Sequence, residues 1–354
     1  VPRQQGRIRA ELGDEDPPDD GFDLGARECL DAHLRYHLRL EGIRGSRRAP
    51  LPRVSIGLPV FNGERYLGEA IDSLLAQTFG DFELILSDNA STDATATICR
   101  RYADRDARVR YHRNERNLGA GRNFNLTVEL ATGEYFKWAA HDDAHAPQYL
   151  ARCVEALDSD PSLVASHTDA RFVDADGRWV EDHVYPAGHA ASSDPASRFA
   201  DLLREDRHSL EVFALIRLPV LRRTRLLAAY VGSDRVLRAH LGLLGRFHMV
   251  PEPLFINRDH PSRCIRALPA HHLRLQWWDP RQAGRRIFPH WKILKEYARL
   301  LRVCPLSADE RRRCRLALLG WCARDLNWAR LAADVVIGVS PSSWRLLGPI
   351  ARRV

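Results

Sequence analysis

Hydrophobic and polar positions in this chain alternate between two periods. Val54 to Val60 is a short apolar run that closes at Pro59, and from Glu64 to Gln77 the residues Tyr66, Leu67, Ala70, Ile71, Leu74 and Leu75 recur at helical spacing. Phe82 to Leu86 reads as the next strand, ending at Ser87, Asp88 and Asn89. Ser91 and Thr92 can cap a helix running to about Ala103, with Asp93 favourably placed in its first turn. The same logic predicts a strand over Val109 to Tyr111, a helix over Arg122 to Leu130 and a strand over Glu134 to Ala139. A helix over Pro147 to Leu157 and a strand over Val164 to Thr168 complete the series. Strands and helices in alternation are the mark of the α/β class, with a sheet whose parallel strands are joined by crossover helices.

On either side the texture differs. Residues 1 to about 27 are rich in Asp, Glu, Pro and Gly, with an acidic run from Asp14 to Asp23, and read as a flexible leader. Cys29 to Leu40 is consistent with a short helix, and Arg44 to Pro52 with a basic linker. Beyond Asp174 the pattern loosens into loops and short helices. The last 85 residues read as helices and hold six of the eight tryptophans: Trp277, Trp278, Trp291, Trp321, Trp328 and Trp344. A chain of 354 residues is longer than most single domains, and three parts follow: 1–50, 51–265 and 266–354.

Charge sharpens that division. The net charge is +7, yet residues 270–354 hold seventeen Arg and Lys against six Asp and Glu, which leaves the rest mildly acidic. A basic surplus confined to the tail points to an anionic surface there and away from nucleic acid as the partner of the body. Trp and Arg together on amphipathic helices suit a membrane interface or a partner groove, and equally a helical subdomain that packs its tryptophans on the core. Seven cysteines without a C-x-x-C pair read as free thiols in a reducing cytosol. With no apolar secretory stretch near Val1 and no run of 18 apolar residues, the expected location is cytoplasmic, or peripheral on the inner face of the cell membrane.

Ligands of open α/β sheets bind at the carboxyl ends of the strands, and the polar residues of this chain fall there in order. Pro59, Phe61, Asn62 and Glu64 follow the first strand, and Asp88 and Asn89 follow the second. Asn117, Gly119, Arg122 and Asn123 lie between the third strand and the next helix, and His141, Asp142 and Asp143 follow the fourth. Such a rim offers an aromatic face and a carboxylate for a nucleobase and a glycine turn for close backbone approach. Its adjacent acids suit a hard divalent cation, Mg²⁺ or Mn²⁺. Each piece alone has a plain reading: an Asp-Asp pair is usually a turn or cap, and Asp88-Asn89-Ala90-Ser91 a turn with an N-cap. Neither G-x-G-x-x-G nor G-x-x-x-x-G-K-[ST] occurs. The ordered set, rather than any member, indicates a nucleotide site.

Three stretches in register carry a resemblance: VSIGLPVFNGERYLGEAIDSLLAQTFGDFELILSDNASTD, then RNERNLGAGRNFNL, then ATGEYFKWAAHDD. Together they closely resemble the family 2 glycosyltransferases with the GT-A fold, over roughly residues 53 to 175 and more weakly to about 265. The resemblance implies a GT-A type, Rossmann-like mixed sheet flanked by helices, here with a helical C-terminal extension. It divides 51–265 into a nucleotide-binding half, about 51–175, and an acceptor half, about 176–265.

It also implies roles. Phe61 would stack on the nucleobase and Asp88 bind the nucleoside. Asp142 and Asp143 match the last two acids of the motif that holds metal and diphosphate, while Ala140 stands where many members have a first acid. Downstream, YVGSDRVLRAHLGLLGRFHMVPEPLFINRDHPSR resembles the acceptor-side segment, with Asp234 at the position of the catalytic base and Ser233 where an acid is more usual. His260 resembles a histidine or arginine that touches diphosphate or metal in some GT-A enzymes; a surface loop histidine is the other reading. The implied activity is metal-assisted, inverting transfer of a sugar from a nucleoside diphosphate sugar, of UDP or dTDP type, to an unknown acceptor hydroxyl, in glycan, polysaccharide or glycolipid synthesis. A noncatalytic nucleotide-sugar-binding protein and a membrane-surface scaffold remain the alternatives.

Overall fold

The computed structural model describes residues 51–204, 209–324 and 326–340, together with 343, 346, 347 and 350. The acidic leader, the Cys29 to Leu40 helix, most of the Arg44 to Pro52 linker and Trp344 lie outside the described residues. In the first half the elements are β1 (Val54–Val60), α1 (Leu67–Leu75), β2 (Phe82–Asp88), α2 (Thr95–Arg105) and β3 (Val109–Arg113). They continue as α3 (Ala120–Leu130), β4 (Tyr135–Trp138), β5 (Ala144–His145), α4 (Tyr149–Ser159) and β6 (Leu163–Val173). The predicted alternation is therefore present, with shifted ends. α2 starts three residues beyond Thr92, so Ser91 and Thr92 lie in the preceding turn instead of capping it.

With β8 (Leu215–Arg217) and β9 (Arg246–Arg258), the strands lie in the order β3-β2-β1-β4-β8-β6-β9-β5, and β7 (Trp179–His183) pairs with β6. β1 is parallel to both β2 and β4, and β3 is parallel to β2. β8 (Leu215–Arg217) runs antiparallel to β4 and β6, which makes the sheet mixed. Every residue of β1 is buried, as a strand covered by helices on both faces requires. Each Ile, Leu or Val so buried contributes roughly 1.5–3 kcal/mol. α1 supplies one cover through Leu67, Ala70, Ile71 and Leu74, spaced to fall on a single face.

The second half is more regular than its sequence indicates. It contains α5 (Pro195–Leu203), a 3-10 turn at Leu210–Phe213, α6 (Leu218–Leu221), α7 (Ser233–Leu244) and β9 (Arg246–Arg258). β9 has 13 residues and pairs in parallel with β6, and its outer edge carries β5 antiparallel.

After β9 come α8 (Cys264–Ala267), α9 (His271–Trp278), α10 (Pro289–Val303), α11 (Ala308–Ala323) and α12 (Asn327–Val339). α8 straddles the boundary expected at 265. A third apolar cluster joins α5 and α7 to α10 and α11 through Phe199, Leu243, Tyr297, Leu300 and Trp321. Trp278 also packs inward, against the second apolar cluster, whereas Trp328 is 61% exposed. Among the described residues, no helix is long and apolar enough to cross a membrane.

Candidate functional site

Because β1, β2 and β4 are parallel, their carboxyl ends open on one edge, and the loops that follow them are tied together. Asn62 donates its backbone N–H to Ser91 Oγ at 2.9 Å and accepts from the N–H of Thr92 at 2.9 Å. Glu64 accepts from the N–H of Ala94 at 2.8 Å, so it caps α2. Pro59 is buried in β1, whereas the Phe61 ring at the rim is 39% exposed. The ring of His141, just past β4, lies on the β1 turn: a Cβ at Gly63 would come within 2.6 Å of His141 Cδ2. Glycine at 63 is what lets the two strand tips meet.

Asp88 ends β2 fully buried. One carboxylate oxygen accepts from the Ser91 N–H at 2.8 Å; the other takes Tyr111 Oη and Arg113 Nη1, each at 2.9 Å. Register explains the pair, since Asp88 lies opposite Arg113 in the β2–β3 ladder. Arg113 and Tyr111 escape the sequence reading, which ends that strand at Tyr111. Alternation of side chains along β3 is the signal that carries both to one face.

Four asparagines brace the neighbouring loop. Asn89 Nδ2 donates to Asn117 Oδ1 at 2.9 Å, and Asn114 Nδ2 donates to Asn89 Oδ1 and Asn123 Oδ1 at 3.0 and 2.9 Å. Asn89 and Asn123 are each 2% exposed, which corrects the expectation that they face a ligand: their amides are spent on one another and on backbone. Arg122 is turned to Glu129 of its own helix. The glycine turn also differs from expectation. Gly119 has φ +85, and a Cβ there would meet Trp278 O at 2.6 Å and Pro280 Cδ at 2.5 Å. The close backbone approach that needs glycine is made by the C-terminal extension.

Asp142 and Asp143 point to different partners. Asp143 is 4% exposed and accepts from Asn257 Nδ2 at 3.0 and 3.1 Å and from the Arg258 N–H at 2.9 Å, both at the end of β9. Burial, with the neighbouring Asp142 charge, pushes its carboxyl up to about 7. Asp142 instead meets His260, whose Nε2 is 2.9 Å from Asp142 Oδ2. Burial acts to raise its pKa, but the His260 hydrogen bond, His141 and Arg263 hold it down at about 2. Tyr66 braces the pair: its ring centroid is 4.9 Å from that of His260 and carries the Arg258 guanidinium at 4.9 Å. Arg258 also donates to the Asp142 carbonyl and pairs with Glu69.

The chemistry of this donor set decides what it can hold. Mg²⁺ and Mn²⁺ bind through one or two carboxylates plus substrate phosphates and water. Among the described residues, no group of three or more His, Cys, Asp and Glu gathers as a ready-made metal site. Asp142 with His260 fits a cation whose other positions are filled by a diphosphate and water. Asp143, expected from the sequence as a ligand, is turned to β9 and accepts hydrogen bonds there through both oxygens.

Asp234 lies in the first turn of α7, after Gly232 at φ +83, and is partly exposed. Its charge is felt by Arg274 of α9, a buried guanidinium whose pKa burial lowers and Asp234 partly restores. Arg274 acts in turn on Cys264, whose thiol is pushed up to about 11 by burial and further by Asp142. The Asp142 charge thus acts on Cys264 and the Asp234 charge on Arg274.

Comparison with known proteins agrees with this architecture. Residues 55–223 match the family model described as glycosyl transferase family 2. An uncharacterized glycosyltransferase of Rickettsia typhi is 41% identical over 106 residues, 30% of this chain and 32% of that protein. Chondroitin synthase of Escherichia coli is 30% identical over 145 residues, 41% of this chain and 21% of that protein. The chain spans a third or less of the length of the first curated relatives it matches. In fold it is similar to S. aureus TarS 1-349, at TM-score 0.58 and 16% identity, covering 84% of this chain and 86% of that one. The same TarS fragment solved with UDP-GlcNAc aligns at TM-score 0.58 and 17% identity over the same shares. The three strand tips and the acid pair all fall within residues 55–223, the stretch that is similar to glycosyl transferase family 2.

Proposed function

We propose that the chain is an inverting glycosyltransferase that moves a sugar from a nucleoside diphosphate sugar, of UDP or dTDP type, to an acceptor hydroxyl in glycan, polysaccharide or glycolipid synthesis. The observation that carries this reading is the Asp142–His260 pair at the end of β4, beside the exposed Phe61 and the anchored Asp88. TarS in complex with UDP and with UDP-GlcNAc supports a uridine donor.

Phe61 would offer its face to the nucleobase, and the Asp88, Arg113 and Tyr111 cluster would supply polar contacts to the nucleoside. Asp142 and His260 would hold Mg²⁺ or Mn²⁺ against the diphosphate. When bound, the cation supplies charge neutralisation for the leaving diphosphate. Asp143 holds the loop by gripping β9, and Tyr66 and Arg258 fix the His260 ring and the Asp142 backbone. Asp234 would take the proton of the acceptor hydroxyl as its oxygen attacks the anomeric carbon opposite the leaving group. The C–O bond to the acceptor forms while that to phosphate breaks, so configuration inverts without a covalent enzyme intermediate.

A thermal-shift screen of UDP, dTDP and their sugar derivatives, with and without Mn²⁺, tests the donor. Stabilisation by a nucleotide sugar that grows with Mn²⁺, followed by release of the nucleoside diphosphate on turnover, is the expected result. Absence of a shift with every nucleotide sugar would overturn the proposal. A shift without donor hydrolysis or transfer to any hydroxyl would favour the noncatalytic binding protein.

A further inference from the structure

The helix α12 has two faces of opposite standing. One is committed: Asp334 accepts from the backbone N–H of His290 at 2.6 Å and meets its Nδ1 at 3.0 Å, and the carbonyl of Leu331 accepts from Trp291 Nε1 at 2.9 Å. These contacts fix α12 against α10. The other face carries Trp328, Ala332, Val335, Val336 and Val339, spaced as one helical stripe, all exposed, with Val339 at 66%. A polar outer face is what a surface helix surrounded only by water would carry.

Exposed apolar positions also occur on α11 and in the turn before α12. Leu326, in the turn between α11 and α12, is exposed, and so are Leu316 and Leu319 on α11. Arg312 and Arg315 stand one turn before those two leucines, and Arg324 follows the end of α11. None of the three arginines has an ion pair among the described residues. Acids near them are occupied, since Asp309 pairs with Arg313 and Glu310 closes the α11 capping box. Apolar area beside unneutralised guanidinium groups complements one kind of surface: acyl chains under anionic headgroups.

We propose that α11 and α12 form a peripheral docking face for an anionic lipid bilayer, with the α12 stripe entering the acyl boundary and Arg312, Arg315 and Arg324 meeting the headgroups. Charge complementarity selects this occupant over a second copy of the chain, whose facing patch would bring the same arginines together. The proposal is independent of the transfer reaction.

Flotation of the full chain with vesicles tests it. The chain should float with vesicles of phosphatidylcholine mixed with phosphatidylglycerol, weakly with phosphatidylcholine alone, and less as salt rises. Val335→Glu with Val339→Glu should abolish flotation while leaving the melting temperature unchanged, because both side chains are exposed. Arg312→Gln with Arg315→Gln should weaken binding by tenfold or more, at about 1 kcal/mol for each arginine near the surface. Undiminished flotation of the valine variant would overturn the proposal. So would failure of the parent chain to float, or a concentration-dependent dimer in light scattering that the valine variant disperses.

Discussion

Asp142 and Asp143 are adjacent in the chain and opposite in environment: Asp142 Oδ2 lies 2.9 Å from His260 Nε2, while Asp143 spends both oxygens on Asn257 and the Arg258 backbone. Asp142 thus faces His260, while Asp143 is a strut between the β4 tip and β9. Asp142→Asn keeps an acceptor for His260 but loses the charge, so Mn²⁺-dependent turnover should vanish with the melting temperature nearly unchanged. Asp143→Ala strands two buried donors and should cost about 1–3 kcal/mol of stability. Chemical denaturation of both variants, alongside turnover with and without Mn²⁺, separates the roles; equal destabilisation by both would contradict the assignment.

The parallel half of this fold was legible because its strands are short, mostly apolar runs that stop near Pro59, Asp88 and the His141-Asp142-Asp143 tip. β9 was not. It contains Pro251 and Pro253, which demote a run as a strand in sequence, and the β6–β9 register shifts where they sit, between Thr168 opposite Val250 and Asp169 opposite Pro253. For the same reason the partners that tell Asp142 from Asp143 stayed hidden. They lie more than a hundred residues downstream, and two adjacent acids have no local signal that divides them. Gly119 was visible as a turn glycine, but its neighbour Trp278 belongs to a helix whose docking no periodicity encodes.

The proton abstraction proposed for Asp234 has its own signature. Asp234→Asn should lower kcat by about 10²-fold or more, the usual worth of a general base, with little change in affinity for the nucleotide sugar. Titration calorimetry of the variant with a donor, set beside its turnover, reads both quantities. A variant that retains full turnover would remove Asp234 from the mechanism.

The nucleobase stacking proposed for Phe61 makes a complementary prediction. Phe61 is exposed at the rim, so Phe61→Ala should leave stability unchanged yet weaken UDP binding by roughly 0.5–1.5 kcal/mol, about two- to tenfold. The same Kd for UDP in the variant would move the base elsewhere on the rim.

Beneath the site, Lys137 of β4 is fully buried, and its ammonium donates to the Trp138 carbonyl at 2.9 Å with His145 Nε2 at 2.9 Å. Burial pulls its pKa down from 10.5 to about 7. Between those values the unfolded chain holds a proton that the native protein lacks, so stability rises with pH across the window. The rise is at most about 1.4 kcal/mol per pH unit for one group, and it is absent below pH 7, where both states are protonated. Lys137→Met should remove that slope, as measured by urea denaturation at several pH values from 7 to 10. An identical slope in parent and variant would show that Lys137 stays charged.

The contact between the catalytic half and the extension gives the last test. Gly119 sits at φ +85 with Trp278 O and Pro280 Cδ where a Cβ would go, and Trp278 Nε1 donates to the Ala228 carbonyl at 2.8 Å. Gly119→Ala is opposed twice, by the left-handed backbone and by the collision, at about 1–3 kcal/mol for each effect. The least costly relief is displacement of the 278–280 segment, which frees α9 and with it Arg274, a guanidinium on which the Asp234 charge acts. The variant should therefore melt lower, expose the 279–288 loop to protease and lose turnover even though 119 touches neither Asp142 nor Asp234. Trp278→Ala should reproduce the protease sensitivity without the backbone strain, and resistance of both variants to cleavage would mean that the extension is held by α10 and α11 alone.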